Sequence, residues 1–170
     1  MKKPLIYISL LFIFLSGSCS DTYTKNWAKK SLAKNQSIVI ADKYLELRYT
    51  ENYSVGFNLF SSIDPKIRKS FILAVQSAVI IFLLIYIYKL HKYSFISLLP
   101  FVIILSGAAS NLTDRFQHGY VTDFIYFHIK DKFSWSVFNV ADILICIGAG
   151  LLFLEIFCNY KLIKRKQILF

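Results

Sequence analysis

Four apolar segments divide the chain, and polar stretches separate them. The segments extend over about 4–20, 70–90, 94–112 and 137–157. As helices, the second and the fourth would each be about 30 Å long, which is the thickness of the hydrocarbon core of a bilayer. The pattern predicts an all-α membrane protein with four transmembrane helices, built as a single integral membrane domain over residues 1–170.

The polar stretch 21–69 between the first two segments has a pattern of its own. Residues 37–60 carry β-branched and aromatic side chains in partial alternation, with turn composition at Glu51–Asn52. This alternation is typical of strands with one buried face, and we predict a small extracytoplasmic β-sheet lying on the membrane surface. Upstream of it, residues 21–35 predict a short interfacial helix with Trp27 at headgroup depth.

The first apolar segment allows a second interpretation. A basic start, an apolar centre and small residues before Cys19 also match a signal peptide, and LSGSC at 15–19 is similar to a lipoprotein lipobox. The lipobox is imperfect, because Ser16 stands where leucine is preferred. Since three more spans follow, we expect a retained first helix. The alternative is a protein that is itself a lipoprotein, modified at Cys19.

Four spans place both termini on the same side of the membrane. Compact basic clusters lie at the two ends of the chain: Lys2, Lys3, Lys161, Lys164, Arg165 and Lys166. A plain count finds more Lys and Arg on the opposite side, but most of that charge lies in the long loop 21–69, and long loops orient weakly. We therefore expect cytoplasmic termini.

Composition narrows the class of function. The chain is 56% hydrophobic, has a mean hydropathy of +0.51 and carries a net charge of +10. Its Lys and Arg are spread through loops and ends without an interleaved stacking motif, so we expect no nucleic acid partner. The three cysteines follow no metal-ligand spacing, and the chain lacks a His-Glu-x-x-His pattern, so we expect no metal.

Carboxylates gather where the third and fourth segments reach the outer surface. Asn111 and Asp114 are three residues apart, which places them on one helix face, and Asn139 and Asp142 repeat this spacing. Asp123 lies between them in a predicted extended stretch. Two carboxylates in a partly dry site cannot both ionise cheaply, so one stays protonated. This supplies an acid and a base at neutral pH, as an aspartic protease requires.

Other roles for these residues remain open from the sequence. Asp114 could form a salt bridge with Arg115, and Asn111 or Asn139 could cap a helix or link two helices. Asp142 is the hardest to explain structurally, because an ionisable group in an apolar span is costly. A small transporter or ion-conducting subunit with Asp142 in a polar pathway is the alternative function. It predicts carboxylates spread across the bilayer depth, whereas these cluster at one face.

The motifs that contain these residues resemble one family. NLTDRFQHGYVTDFIYFHI at 111–129, followed by FNVAD at 138–142, resembles the signature of lipoprotein signal peptidase, the bacterial type II signal peptidase. DTYTK at 21–25 is similar to the family's D-x-x-T-K motif. ENYSVGF at 51–57 matches more loosely: Asn52 and Phe57 agree, while Ser54 and Gly56 replace the usual glycine and alanine.

The resemblance implies a membrane aspartic endopeptidase. Such enzymes remove signal peptides from diacylglyceryl-modified prolipoproteins by cutting before the lipidated cysteine, and they use no metal or cofactor. The implied catalytic residues are Asp123 and Asp142, whereas spacing alone favours Asp114 with Asp142. The implied supporting residues are Asn111, Asp114, Arg115, Asn139, Asp21, Lys25 and Asn52. The sheet predicted at 37–60 is implied to cradle substrate at the membrane surface. The resemblance implies a site at the outer leaflet of the bacterial cytoplasmic membrane; we also expect contact with lipid and a monomeric state.

Overall fold

The computed structural model describes residues 3–32, 37–54, 64–90, 94–130 and 132–168. In chain order the elements are α1 (Lys3–Leu32), β1 (Ser37–Ala41), β2 (Leu45–Asn52), α2 (Pro65–Lys89), α3 (Phe95–His118), β3 (Val121–Ile129), β4 (Phe133–Ser134) and α4 (Val140–Ile168). All four helices are long and apolar enough to cross a membrane. The strands form one antiparallel sheet in the order β1-β2-β3-β4. The predicted class, four transmembrane helices with a small sheet, is confirmed.

The ends of α2 and α3 have clear local causes. The Asp64 carboxylate accepts hydrogen bonds from the backbone N–H groups of Lys66 and Ile67, and Pro65 opens α2. These are preferred residues for an N-cap and a first helical position. Helix α3 ends at Gly119, whose φ of 85° is the left-handed conformation that glycine adopts without steric cost. The chain then reverses directly into β3.

Helix α1 is longer than the predicted first span. The segment expected as a separate interfacial helix continues α1 without a break as far as Leu32. Tertiary packing explains this, because Ala28 and Leu32 are fully buried against Phe124 of β3. The C-terminal part of α1 therefore connects the sheet to the other helices.

The hairpin turn of the sheet lies at a different place from the predicted one. Residues 42–44 connect β1 to β2, and the Tyr44 N–H donates to the carbonyl of Ala41 at 3.0 Å. Glu51 and Asn52 instead end β2, where they pair with Thr122 and Val121 of β3. The predicted turn at Glu51–Asn52 is therefore wrong. Gly56 and Phe57, which the motif comparison also named, lie outside the described residues.

Helix α3 is the central helix. Half of its most apolar 18-residue window is buried in the protein, against 11% for each of the other three spans. Gly107 allows α4 to approach closely, because a Cβ atom at this position would collide with the carbonyl oxygen of Ala141. The first turn of α4 is thereby held against α3, at the level of the polar residues that follow Gly107.

The segment before α4 is fastened to β3 by backbone hydrogen bonds. The Ile125 N–H donates to the Phe138 carbonyl at 2.8 Å, and the Phe138 N–H donates back to Ile125 at 3.0 Å. Phe138 directly precedes Asn139, and Asp123 is two residues before Ile125. This pairing brings the start of α4 next to Asp123.

Candidate active site

Asp123 and Asp142, which we call the carboxylate pair, line one pocket of about 330 Å³. Asp123 lies on β3 with only 2% of its surface exposed, and Asp142 lies in the first turn of α4. Asn52, Asn111 and Arg115 line the same pocket. Residues separated widely in the sequence thus contribute polar atoms to one cavity.

Asp123 is held by two side-chain amides. Asn52 donates through Nδ2 to Asp123 Oδ2 at 2.8 Å, and Asn139 donates through Nδ2 to Oδ1 at 2.6 Å. The two donors come from different elements, since Asn52 ends β2 and Asn139 immediately precedes α4. Both carboxylate oxygens are therefore satisfied by neutral groups.

Asp142 is held by a reciprocal cap at the start of its own helix. Its backbone N–H donates to Asn139 Oδ1 at 3.0 Å, while the Asn139 backbone N–H donates to Asp142 Oδ2 at 3.1 Å. This is the geometry of a capping box. Asn111 Nδ2 of α3 donates to the other oxygen, Oδ1, at 2.9 Å. The N-x-x-D spacing at 139–142 therefore has a local structural cause as well as a place in the pocket.

A second group of carboxylates surrounds Lys25, and we call Asp21, Lys25 and Asp114 the ion cluster. Lys25 Nζ lies 2.6 Å from Asp21 Oδ2 and 3.1 Å from Asp114 Oδ2. It also donates to Asn111 Oδ1 at 2.8 Å. Asn111 and Asp114 thus share a face of α3, as their spacing predicts. The cluster ties α1 to α3 next to the carboxylate pair, to which Asn111 connects it.

Asp21 also connects the ion cluster to α4. Its Oδ1 accepts a hydrogen bond from the Ala141 N–H at 2.7 Å, and its Oδ2 accepts one from the Ser110 hydroxyl at 2.6 Å. Asp21 has no exposed surface. One carboxylate of α1 therefore fixes both α3 and the first turn of α4.

Arg115 has a different partner from the one the sequence suggested. Its guanidinium Nη2 donates to the backbone carbonyl of Ser54 at 2.7 Å, and Asp114 pairs with Lys25. The Ser54 N–H in turn donates to Asn52 Oδ1 at 2.9 Å. Arg115 is 6% exposed. It holds the segment after β2 in place and thereby orients Asn52.

The electrostatic environment of Asp123 disfavours its charged form. Burial raises the pKa of its carboxyl group to about 7, and the nearby negative charge of Asp142 adds to the increase. The hydrogen bonds from Asn52 and Asn139 and the charge of Lys25 act in the opposite direction. Asp123 therefore exchanges its proton near neutral pH, which is the condition for acid–base catalysis.

All nine predicted site residues belong to one connected hydrogen-bonded region. The sequence reasoning missed two participants in this region, Ser54 and Ser110, and it also missed Gln76, which lines the pocket from α2. A polar residue within an apolar span was the available signal for Gln76 and Ser110. Ser54 acts through its backbone, and no sequence pattern reports that.

A sequence profile described as signal peptidase (SPase) II matches residues 13–158. The chain belongs to the signal peptidase II family. A lipoprotein signal peptidase of Clostridium tetani is 33% identical over 146 residues, covering 86% of this chain and 90% of the relative. One of Histophilus somni is 32% identical over 164 residues, covering 96% and 94%. The resemblance found in the motifs is thereby confirmed.

Two solved structures share the fold. Both are titled as bacterial membrane enzymes; the first has a TM-score of 0.73 at 19% identity and covers 89% of each chain. The second has a TM-score of 0.70 at 20% identity, covering 87% of this chain and 92% of its own. As a signal peptidase II, the chain is a peptidase that acts on prolipoproteins. With four membrane-spanning helices, it is a multi-pass protein of the bacterial inner membrane.

Proposed function

We propose that this signal peptidase II is an aspartic endopeptidase that cuts diacylglyceryl-modified prolipoproteins immediately before the lipidated cysteine. The observation that carries the proposal is the environment of the carboxylate pair. Asp123 and Asp142 line one pocket, and among the described residues both are held by amide groups rather than by a cation. Carboxylates arranged in this way are available for proton transfer.

In this proposal the two carboxylates have complementary roles. Asp123, whose pKa is raised to about 7, is the acid, and Asp142, at the N-terminus of α4, is the base. Helix N-termini favour negative charge, which suits Asp142 to the ionised role. Asp142 takes a proton from water as the water oxygen attacks the scissile carbonyl carbon, while Asp123 gives its proton to the carbonyl oxygen. Breakdown reverses this: Asp142 protonates the leaving nitrogen, and Asp123 recovers its proton.

The remaining seven predicted residues support this chemistry in the proposal. Asn52, Asn111 and Asn139 orient the carboxylates through the hydrogen bonds described above. Asp21, Lys25, Asp114 and Arg115 hold α1, α3 and the segment after β2 against them. No residue of this group contributes a proton to the reaction. The division makes the supporting residues separable from the catalytic ones by experiment.

Lipid modification of the substrate is supported by a second pocket beside Asp142. This pocket measures about 370 Å³, and its lining is largely apolar, with Trp135, Phe138 and Ile147 among its residues. Burial of an acyl chain in such surroundings contributes about 0.8 kcal/mol of binding free energy per CH₂ group. The pocket shares Asp142 with the first one, so a lipidated cysteine can occupy it while the scissile bond reaches the carboxylate pair.

The proposal includes a membrane orientation in which both termini are cytoplasmic. With cytoplasmic termini, the C-terminal end of α3 and the N-terminal end of α4 lie at the outer leaflet, together with the sheet. Signal peptides that have crossed the membrane present their cleavage region there. One chain supplies all the side chains of the site's hydrogen-bonded network described above, so the proposed working unit is the monomer.

Cleavage of a defined substrate tests the proposal. The chain, reconstituted in lipid, should cleave a synthetic prolipoprotein peptide that carries a diacylglyceryl cysteine, leaving that cysteine as the new N-terminus by mass spectrometry. The same peptide without lipid is the matched control and should react far more slowly. The cyclic peptide globomycin, an inhibitor of the family, should block the reaction. Proton or cation flux without any cleavage would overturn the proposal in favour of a conducting protein.

A further inference from the structure

Gln76 is a polar residue in the most apolar helix of the protein. Together with Ser77 it interrupts an otherwise apolar run from Phe71 to Ile85 in α2. Helix α2 has a hydropathy of 2.5 in its membrane-spanning window, the highest of the four spans. A side-chain amide in such a segment is costly in lipid, and polar residues at membrane depth commonly have a functional role.

The side chain of Gln76 lines the pocket that contains the carboxylate pair. Its carbonyl oxygen Oε1 is buried and accepts no hydrogen bond from any of the described residues. The other amides of the pocket differ, because Asn52 and Asn111 each donate to a carboxylate and accept from a neighbour. A buried acceptor without a partner destabilises a protein, and it calls for an explanation such as a ligand that supplies the donor.

The bound substrate supplies donors of the matching kind. Cleavage requires an extended backbone at the scissile bond, which frees the N–H groups that a helix would have paired. In an apolar environment those N–H groups are as costly as the unpaired oxygen of Gln76. Lipid tails offer no donor. An N–H of the substrate backbone and Oε1 of Gln76 therefore complement each other.

The depth of Gln76 indicates which part of the substrate it meets. It is the twelfth residue of α2, about 17 Å along the helix axis from Pro65. Asp142 lies in the first turn of α4, and both helices descend from the same side of the membrane. Gln76 therefore lies near the middle of its span, whereas Asp142 lies in the first turn of its own. A signal peptide extends from the scissile bond towards the middle of the bilayer, so its last residues are the part of the substrate that Gln76 is positioned to meet.

We propose that Gln76 Oε1 accepts a hydrogen bond from a backbone N–H of the signal peptide, upstream of the cleaved bond. The inference rests on the proposed function and makes Gln76 a substrate-binding residue of the same pocket. This contact holds the substrate equally in the ground state and in the transition state, because it lies away from the reacting atoms. It therefore contributes to KM and leaves kcat unchanged.

Replacement of Gln76 by methionine, which has a similar length and no polar amide, tests the assignment. Gln76→Met should raise KM for the lipidated peptide about 5- to 20-fold, with kcat within about twofold of wild type. Its melting temperature should stay the same or rise, because an unpaired polar atom is removed. Ser77→Ala is the matched control and should retain the wild-type KM. An unchanged KM would overturn the inference. If the melting temperature also fell, Gln76 would instead form a stabilising contact between helices.

A substrate series locates the partner without relying on the folding of a variant. Peptides with a single ester in place of each of the last three signal-peptide amides lack one N–H at a time. One of them should raise KM in the wild type and cause little further rise in Gln76→Met, as coupled groups do in a double-mutant cycle. Equal KM values across the series would overturn the inference. Because the wild type must cleave the parent peptide first, loss of this inference is distinguishable from loss of the proposed function.

Discussion

The four buried or partly buried aspartates of the candidate site form two groups with different partners. In the ion cluster, Asp21 and Asp114 both lie within 3.1 Å of the Lys25 ammonium group. In the carboxylate pair, Asp123 and Asp142 accept hydrogen bonds from asparagine side chains and one backbone N–H. The residue type is the same, and the charge of the partner differs.

In the proposed mechanism, this difference separates the supporting aspartates from the catalytic ones. The carboxylates paired with the Lys25 ammonium group tie α1 to α3 and to the first turn of α4. A buried carboxylate that meets only neutral donors is close in energy to its protonated form, as the pKa of about 7 for Asp123 illustrates. Asn111 connects the two groups, since it accepts from Lys25 and donates to Asp142. The ion cluster thereby supports the pair without neutralising it.

Under the proposed mechanism, replacing either member of the carboxylate pair should have the largest effect. We expect Asp123→Asn and Asp142→Asn each to lower cleavage of the lipidated peptide about 10³-fold or more, because an amide cannot act as acid or base. Both variants should still accumulate in membranes. Asp42→Asn is the matched control, since Asp42 lies in the exposed turn between β1 and β2, and it should cleave like wild type. Substantial cleavage by either variant of the pair would contradict its assignment.

The same comparison shows how much of the fold and of the candidate site could be predicted from the sequence. The four spans, the turn at Gly119 and the strand that carries Asp123 follow from local patterns, because apolar length and glycine conformation act over a few residues. Spacing alone, however, paired Asp114 with Asp142. Their N-x-x-D patterns look alike, yet Asp114 faces Lys25 of α1. Only the family motifs favoured Asp123.

The parts that local patterns missed depend on tertiary contacts. Asp123 meets Asn139 because Ile125 and Phe138 exchange backbone hydrogen bonds, and no short-range signal reports that pairing. The continuation of α1 to Leu32 likewise depends on packing against Phe124. A polar, lysine-rich stretch has little tendency to extend a membrane span by itself. Tertiary burial outweighs propensity there.

Removing the cation from the ion cluster should destabilise the protein strongly, although no atom of the carboxylate pair is changed. Lys25→Met leaves the buried Asp21 and the partly buried Asp114 without their counter-ion, and breaking a buried ion pair in this way costs about 3–5 kcal/mol. We expect low abundance in membranes and a much lower melting temperature in detergent. Lys30→Met, which changes an exposed lysine on the same helix, should behave like wild type. Equal melting temperatures for the two variants would mean that the cluster is not structural.

The raised pKa of Asp123 should appear in the pH dependence of stability. An unfolded aspartate titrates near pH ~4, whereas the folded one titrates at about 7, mainly because it is buried. Between these values the folded protein keeps a proton that the unfolded chain has released. The contribution of Asp123 to the free energy of unfolding therefore falls as the pH rises through this window, and it is constant above it.

Thermal unfolding in detergent at several pH values measures this slope. Asp123→Asn lacks the titrating group, so its melting temperature should fall less than that of the wild type between about pH 4 and pH 7. Asp42→Asn should retain the wild-type slope, because it leaves Asp123 in place. Parallel curves for Asp123→Asn and wild type would show that Asp123 titrates at the same pH in both states.

The smallest effect should come from the more exposed carboxylate of the ion cluster. Asp114→Asn keeps an oxygen for Lys25 and for the Thr122 N–H, and Lys25 retains Asp21, so we expect a loss of about 1 kcal/mol in stability and less than tenfold in cleavage. Asp21→Asn should cost more, because Asp21 is fully buried and also accepts from Ser110 and Ala141. Melting temperatures and cleavage rates of the two variants give the order. If Asp114→Asn were fully folded and as inactive as Asp123→Asn, Asp114 would belong with the catalytic residues, and the division between the two groups of aspartates would be wrong.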